Sequence, residues 1–333
     1  DLTPPDAPSD LTASEGDGLV ELSWTAAQGA AGYYVYRSPV TGGGYQRLND
    51  TPTTGTTYVD AGVVNGRMYY YVVTAVDGAG NESERSNEAG ALPHMIIGWA
   101  NTQWPYSIDH TISALYPTEN IYGQVWIDGY TSAPGPTEGL LAQVGFGPDG
   151  SQPAGNPDWL WVDAVFNVDA GDNDEFMGQL LPEMVGTYDY AYRYSTTAGF
   201  DWVYADLDGT GNGYDPAQAG DLVVVPSSDT TPPSAPINLT VVEASPGFIS
   251  LAWDAVPDAD LYRYEVFRAA LPGGPYTKLA NVQAPITGYT DWNVASGMTY
   301  YYVVAAADTS FNLSGFSDEL EATAQREAGY RHR

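Results

Sequence analysis

No cysteine occurs in the 333 residues, which excludes disulfides, thiolate nucleophiles and cysteine-ligated zinc. Basic side chains are almost as scarce. Lys278 is the one lysine, and 11 Lys plus Arg stand against 42 Asp plus Glu, a formal net charge of −31. Such a chain repels phosphate backbones and anionic lipid, because binding either depends on clustered Lys and Arg. Nucleic acid is therefore not an expected partner, and membrane insertion is not expected, since no apolar run approaches the roughly 20 residues that cross a bilayer. Histidine is confined to His94, His110 and His332, none of them in a spaced His/Glu set. No G-x-S-x-G elbow, phosphate loop or zinc signature is present. A parallel α/β pattern is missing as well, so the roughly 250 residues of a TIM-type barrel find no counterpart. No catalytic residues are assigned, and this stretch is not expected to be an enzyme by itself.

What is abundant is strand and turn material: 37 Gly, 24 Pro and 26 Tyr, with 43% hydrophobic residues overall. At 100–150 residues per domain, the length predicts two or three domains. The opening at Asp1, a Pro-rich segment with no signal peptide, reads as a mature or excised piece. The ends of the chain repeat each other. Thr3-Pro4-Pro5-Asp6-Ala7-Pro8, then Leu11, Val20, Leu22 and Trp24, corresponds to Thr231-Pro232-Pro233-Ser234-Ala235-Pro236, then Leu239, Ile249, Leu251 and Trp253. Tyr33–Arg37 corresponds to Tyr264–Arg268, Tyr69–Val73 to Tyr300–Val304, and Asp77, Asn81 and Ser83 to Asp308, Asn312 and Ser314. Each copy alternates apolar with polar over short runs broken by Gly, Pro and Asn, the pattern of a seven-strand sandwich.

These residues resemble fibronectin type III modules, over roughly 1–92 and 229–325. Trp24 and Trp253 match the family's core tryptophan, and Tyr69–Asp77 and Tyr300–Asp308 match its sixth strand. The resemblance implies spacers between working modules of secreted bacterial polysaccharide-degrading enzymes. The proline-rich entries imply stiff linkers.

The middle, 94–228, differs. Six tryptophans fall here (Trp99, Trp104, Trp126, Trp159, Trp161 and Trp202), and Arg193 is its one Lys or Arg amid many carboxylates. Period-two alternation reads Leu160, Val162, Ala164, Phe166 and Val168 as the inward face of one strand, with Trp159, Trp161, Asp163 and Asn167 outward. Ile121, Gly123, Val125 and Ile127 read inward, leaving Tyr122, Gln124, Trp126 and Asp128 outward. Val203, Ala205 and Leu207 read inward, with Trp202, Tyr204 and Asp206 outward. A sugar ring stacks its C–H face on an indole while its hydroxyls need fixed amides and carboxylates. Trp126, Trp159, Trp161, Trp202, Tyr204, Gln124, Asp163 and Asn167 are therefore the expected carbohydrate-binding residues.

The wording of Ile97–Pro105, Asn120–Gly129 and Thr187–Ser195 resembles an accessory module found between fibronectin type III modules in large extracellular amylases and pullulanases. The expected fold is all-β, with three tandem immunoglobulin-like β-sandwiches at 1–93, 94–228 and 229–325; residues 326–333 are a tail or the start of a further module. The expected role is the non-catalytic accessory region of a secreted starch-degrading enzyme, extracellular or at the cell surface. Its partners would be an α-glucan or neighbouring modules of a larger polypeptide. The alternative is a self-associating subunit of an extracellular filament or surface layer. Two acidic loops are calcium candidates: Asp169–Glu175, and Asp206–Asp215 with Asp206, Asp208, Asn212 and Asp215 as ligands. In the second, Ala217 stands where a helix-loop-helix calcium loop needs glutamate.

Overall fold

The computed structural model describes residues 2–211 and 213–326. Among these, 24 strands are joined by turns and a single three-residue 3-10 turn, Pro216–Gln218. The all-β expectation holds, and the architecture is that of tandem β-sandwiches. Two compact units are distinguished. One comprises Asp1–Ser107, Asn120–Gln179 and Tyr188–Asp221, the other Ile108–Glu119, Leu180–Thr187 and Leu222–Arg333.

The first unit begins with a seven-strand sandwich. One sheet has the order Ser9–Gly16, Leu19–Thr25, Thr57–Asp60, and the other Gln46–Arg47, Gly32–Ser38, Tyr69–Val76, Ala89–Ala91. Alternation buries Val20, Leu22 and Trp24 from one sheet against Val35, Tyr71, Val73 and Ala75 from the other. Polar groups inside are matched. The Arg37 guanidinium and the Tyr71 hydroxyl both donate to Asp60 Oδ2, at 2.8 and 3.0 Å, and Arg37 also donates to the Gly62 carbonyl at 2.8 Å. Burial, and then the Asp60 charge, push the Tyr71 hydroxyl far above its ordinary pKa, so it remains a donor. The Tyr69 hydroxyl accepts the Val64 amide at 3.1 Å, the corner tyrosine of such sandwiches.

The second unit repeats this design. Its sheets run Thr240–Ser245, Phe248–Ala252, Gly288–Asp291 and Thr277–Gln283, Leu261–Ala269, Thr299–Asp308, Leu320–Thr323. Asp291 Oδ2 accepts Arg268 at 2.7 Å and the Tyr302 hydroxyl at 2.9 Å, while the Tyr300 hydroxyl accepts the Ala295 amide at 2.9 Å. The repeat thus extends from spacing to individual hydrogen bonds.

Back in the first unit, a four-stranded sheet has the order Val165–Ala170, Asn173–Gly178, Ile121–Trp126, Trp99–Trp104. Facing it are Leu160–Asp163, Leu141–Pro148 and Gly186–Ser195, with Val203–Ala205 paired to the last. Tyr192 and Tyr194 fill the space between, stacked at 5.7 Å and wholly buried. The Tyr192 hydroxyl donates to the Ile121 carbonyl at 2.6 Å. Gly123 lies directly beneath: a Cβ there would stand 2.4 Å from the Tyr194 hydroxyl and 2.6 Å from the Tyr192 ring.

Two expected strand faces are corrected. The run 160–168 is not one strand. It breaks at Ala164, whose amide donates to the Ala142 carbonyl at 2.9 Å, and its halves join different sheets. Leu160 and Val162 therefore sit on an edge strand and are 58% and 41% exposed instead of inward. Val203 is exposed for a similar reason, lying on a three-residue strand off the main sheet path, whereas Asp206, expected outward, is buried.

The duplicated Arg–Asp–Tyr cluster yields a paired prediction. Asp60→Ala and Asp291→Ala each leave a half-buried guanidinium without its carboxylate, and each is expected to cost about 3–5 kcal/mol. Calorimetry of the full chain should show a separate destabilisation for each variant and, because the geometries match, losses of similar size.

Candidate functional site

The expected binding residues divide between the two outer faces of the middle sheets. Gly123 points inward at Tyr192 and Tyr194, so Tyr122, Gln124 and Trp126 point out from the four-stranded sheet. By the same alternation Arg193 points out from the facing sheet, and its cross-strand neighbours Gln143, Asp163 and Tyr204 share that face.

On the Arg193 face the aromatic rings are occupied with one another. Along Leu141–Pro148 the outward positions are Gln143, Gly145 and Gly147, and their neighbours cover them in turn. The Trp161 ring lies over Gly145 and the Trp159 ring over Gly147, where a Cβ would come within 2.5 and 2.4 Å respectively. Trp159 stacks on Trp161 at 5.3 Å with 19° between planes. The Arg193 guanidinium stands 4.3 Å from the Trp161 ring and 4.1 Å from that of Trp202. Gln143 accepts from Arg193 Nε at 2.8 Å and donates to Asp163 Oδ1 at 2.8 Å. Burial lowers the Arg193 pKa, partly offset by Tyr204.

Trp161 is thus flanked by Trp159 on one side and Arg193 on the other, which leaves a sugar no free indole face. Trp159, expected outward, is a correction. It is 4% exposed, because its ring closes over Gly147 and its Nε1 donates to Ser151 Oγ at 2.8 Å.

The face of the four-stranded sheet is different. Tyr122 pairs with Trp104, Gln124 with Asn101, and Trp126 with Trp99. Two aromatic rows bracket a polar row, and four residues of strand separate Tyr122 from Trp126, about 13 Å. Trp104 is 52% exposed and meets Tyr106 edge-on at 5.5 Å. In the polar row Glu175 accepts from Asn167 Nδ2 at 2.6 Å and from Gln124 Nε2 at 3.2 Å, while Asn173 Nδ2 donates to Gln124 Oε1 at 3.2 Å. Trp126 is half-buried, its ring resting over Gly98, where a Cβ would lie 2.4 Å from it. The Trp99 Nε1 donates to the Gly209 carbonyl at 2.5 Å, fixing that ring.

The structure therefore brings Trp126, Gln124 and Asn167 together with Trp104, Tyr122, Asn101 and Glu175. It sets Trp159, Trp161, Asp163, Trp202 and Tyr204 apart from them. Trp104 is invisible to simple alternation, which places it with buried Thr102. A register shift between Tyr122 and Gly123 leaves Gln103 as an extra residue and turns Trp104 outward.

The loop from Asp206 is tied up in its own turns. Asp206 accepts the Asp208 and Asp215 amides at 3.1 and 2.8 Å, and burial raises its pKa. Asp208 accepts the Thr210 amide and Asp215 caps Ala217. Asn212 lies outside the described residues. Among the described residues, the group of three or more metal-binding side chains with ligand atoms within 4.8 Å of one another is Asp229, Asp260 and Asp308, not this loop.

Residues 8–91 match the family model for the fibronectin type III domain, SaeA third domain. Residues 8–91 are a fibronectin type III domain. Over 97% of its length the chain is 37% identical to an amylopullulanase of Thermoanaerobacter thermohydrosulfuricus, covering 22% of that protein. It is 38% identical over 94% of its length to an amylopullulanase of Thermoanaerobacterium saccharolyticum, covering 24%. The chain thus spans less than a quarter of the length of these relatives. A solved Fn3-like protein from Clostridium thermocellum is 39% identical over 28% of this chain and 97% of its own, with a TM-score of 0.25.

Asp189 offers a pH test of the stacked face. It is 2% exposed, opposite Gly147, and accepts the Gly150 amide at 3.0 Å. Burial raises its pKa from 3.8 to about 6, against the pull of the Gly150 amide and with the Asp149 charge adding. A raised carboxyl favours the protonated fold, so its stabilisation is present below about pH 4 and lost as pH rises through 6. The loss is about 3 kcal/mol. Urea midpoints measured from pH 4 to pH 7 should fall less steeply in Asp189→Asn than in the natural chain.

Proposed function

We propose that the chain is the accessory, polysaccharide-binding region of a secreted starch-degrading enzyme whose catalytic residues lie outside it. The observation that carries this reading is the exposed Trp104 beside Tyr122, on the same sheet face as the hydrogen-bonded Gln124–Glu175–Asn167 group. The indole and phenol offer flat surfaces to sugar C–H faces, and the amides and carboxylate offer directed partners for hydroxyls. Because the carboxylates are held by neighbouring amides rather than by cations, the face suits a neutral glycan and repels an anionic one. The relationship to amylopullulanases points to an α-glucan. The fibronectin type III domain and its repeat serve as spacers, and tethering raises the local polymer concentration for a catalytic domain.

Affinity electrophoresis through amylopectin, pullulan, xylan and polymer-free gels tests the reading. The full chain should be retarded by the two α-glucans. Trp104→Ala should weaken binding by about tenfold, the equivalent of one stacking contact, whereas Trp161→Ala should leave it nearly unchanged. Unretarded migration in every gel would overturn the proposal, and equal loss in both variants would overturn the choice of face.

A further inference from the structure

The strands Val165–Ala170 and Asn173–Gly178 pair as a hairpin closed through Gly171 and Asp172, which sets Asp169 directly opposite Asp174. Paired residues share a face with Cβ atoms about 4.5–5.5 Å apart, and like charges so placed repel. The segment 131–139 lies against both. The Gly135 amide donates to Asp169 Oδ1 and Oδ2 at 3.0 and 3.3 Å, and the Thr137 amide donates to Asp174 Oδ2 at 2.9 Å.

Asp174 is completely buried, at 0% exposure. Its Oδ1 makes no hydrogen bond of normal geometry, and neither does the buried Thr137 Oγ1 beside it. Among the described residues no salt bridge reaches Asp169 or Asp174. A buried carboxylate oxygen without donor or cation is strongly unfavourable. Burial raises the Asp174 pKa, opposed by the Thr137 amide and by the nearby Thr137 side chain, and reinforced by the Asp169 charge.

We infer that Asp174 Oδ1, the Asp169 carboxylate and Thr137 Oγ1 form a calcium site that pins the segment 131–139 to the hairpin. Every donor is oxygen and two of the groups are carboxylates, which is the ligand chemistry calcium prefers. Water completing the shell has a route in, because Gly135, Pro136, Thr137 and Glu138 also line a cleft of about 640 Å³ with Tyr130. The assignment is independent of glycan binding.

The test uses the full chain, stripped with a chelator and titrated with calcium or magnesium by calorimetry and thermal unfolding. Calcium should raise the midpoint temperature and magnesium should do so far less. Asp174→Asn and Asp169→Asn should each bind calcium about tenfold or more weakly. In chelator, Asp174→Asn should be at least as stable as the natural chain, because the unpaired charge is gone; with calcium that order should reverse. A midpoint insensitive to calcium overturns the assignment and leaves Asp174 protonated. A calcium effect that survives both substitutions also overturns it and moves the ion to another acidic group, such as Asp229, Asp260 and Asp308.

Discussion

Two stacked tyrosines set the geometry on which the proposed glycan face depends. Tyr192 and Tyr194 are wholly buried between the middle sheets, and the Tyr192 hydroxyl is bound to the Ile121 carbonyl. They leave space for nothing larger than Gly123 on the facing strand. That contact fixes which residues of Ile121–Trp126 face out, because a slip of one residue would turn Tyr122, Gln124 and Trp126 into the core. The outer face is in this sense specified from beneath. Its polar row is then held sideways, Glu175 drawing Asn167 and Gln124 toward it from neighbouring strands. A hydroxyl-bearing ligand meets partners whose positions are already set, so little side-chain entropy remains to be lost on binding.

Charge explains why the opposite face is closed. Arg193 is the single Lys or Arg of the segment 94–228, and it stands against Trp161 and Trp202 with Gln143 holding its Nε. A guanidinium is weakly hydrated and stacks well on indole, so this arrangement recovers much of what its burial costs. The consequence is that no cation remains in that segment to neutralise buried carboxylates. Asp174, Asp189 and Asp206 are all buried, and all have raised pKa values with burial as the leading cause. Asp189 and Asp206 have both been supplied with backbone amides. Asp174 differs in keeping one oxygen without a well-formed hydrogen bond.

Much of the fold was legible because it follows from local alternation and from duplication. The matched tyrosines and tryptophans predicted two copies of one sandwich, and the copies share even the Asp60 and Asp291 clusters. The inward set Ile121, Gly123, Val125 and Ile127 was read correctly from period two alone. The site was less legible, because each misplacement arises where the chain departs from regular pairing. Ala164 sends the chain from one sheet to the other, which no alternation rule detects across a continuous apolar run. The extra residue at Gln103 reverses the facing of Trp104. Trp159 precedes its strand, and its burial depends on Gly147, twelve residues upstream on a partner strand.

These departures also separate aromatic residues that composition treats alike. An indole serves a sugar when one face is free and its edge is held; it serves the fold when both faces are covered. Trp161 has Trp159 and Arg193 at its faces, so its energy is already spent on packing. Trp104 meets Tyr106 edge-on and stays half exposed. The glycines mark the distinction. Gly145 and Gly147 leave room for the indoles packed against them, and Gly98 does the same for Trp126. Trp104 is the last residue of its strand and is 52% exposed. Where a tryptophan is matched by a glycine on the neighbouring strand, the pair is a packing device. Where it is not, and a fixed amide stands two residues along the partner strand as Gln124 does from Tyr122, the ring keeps the exposed surface that the proposed binding requires.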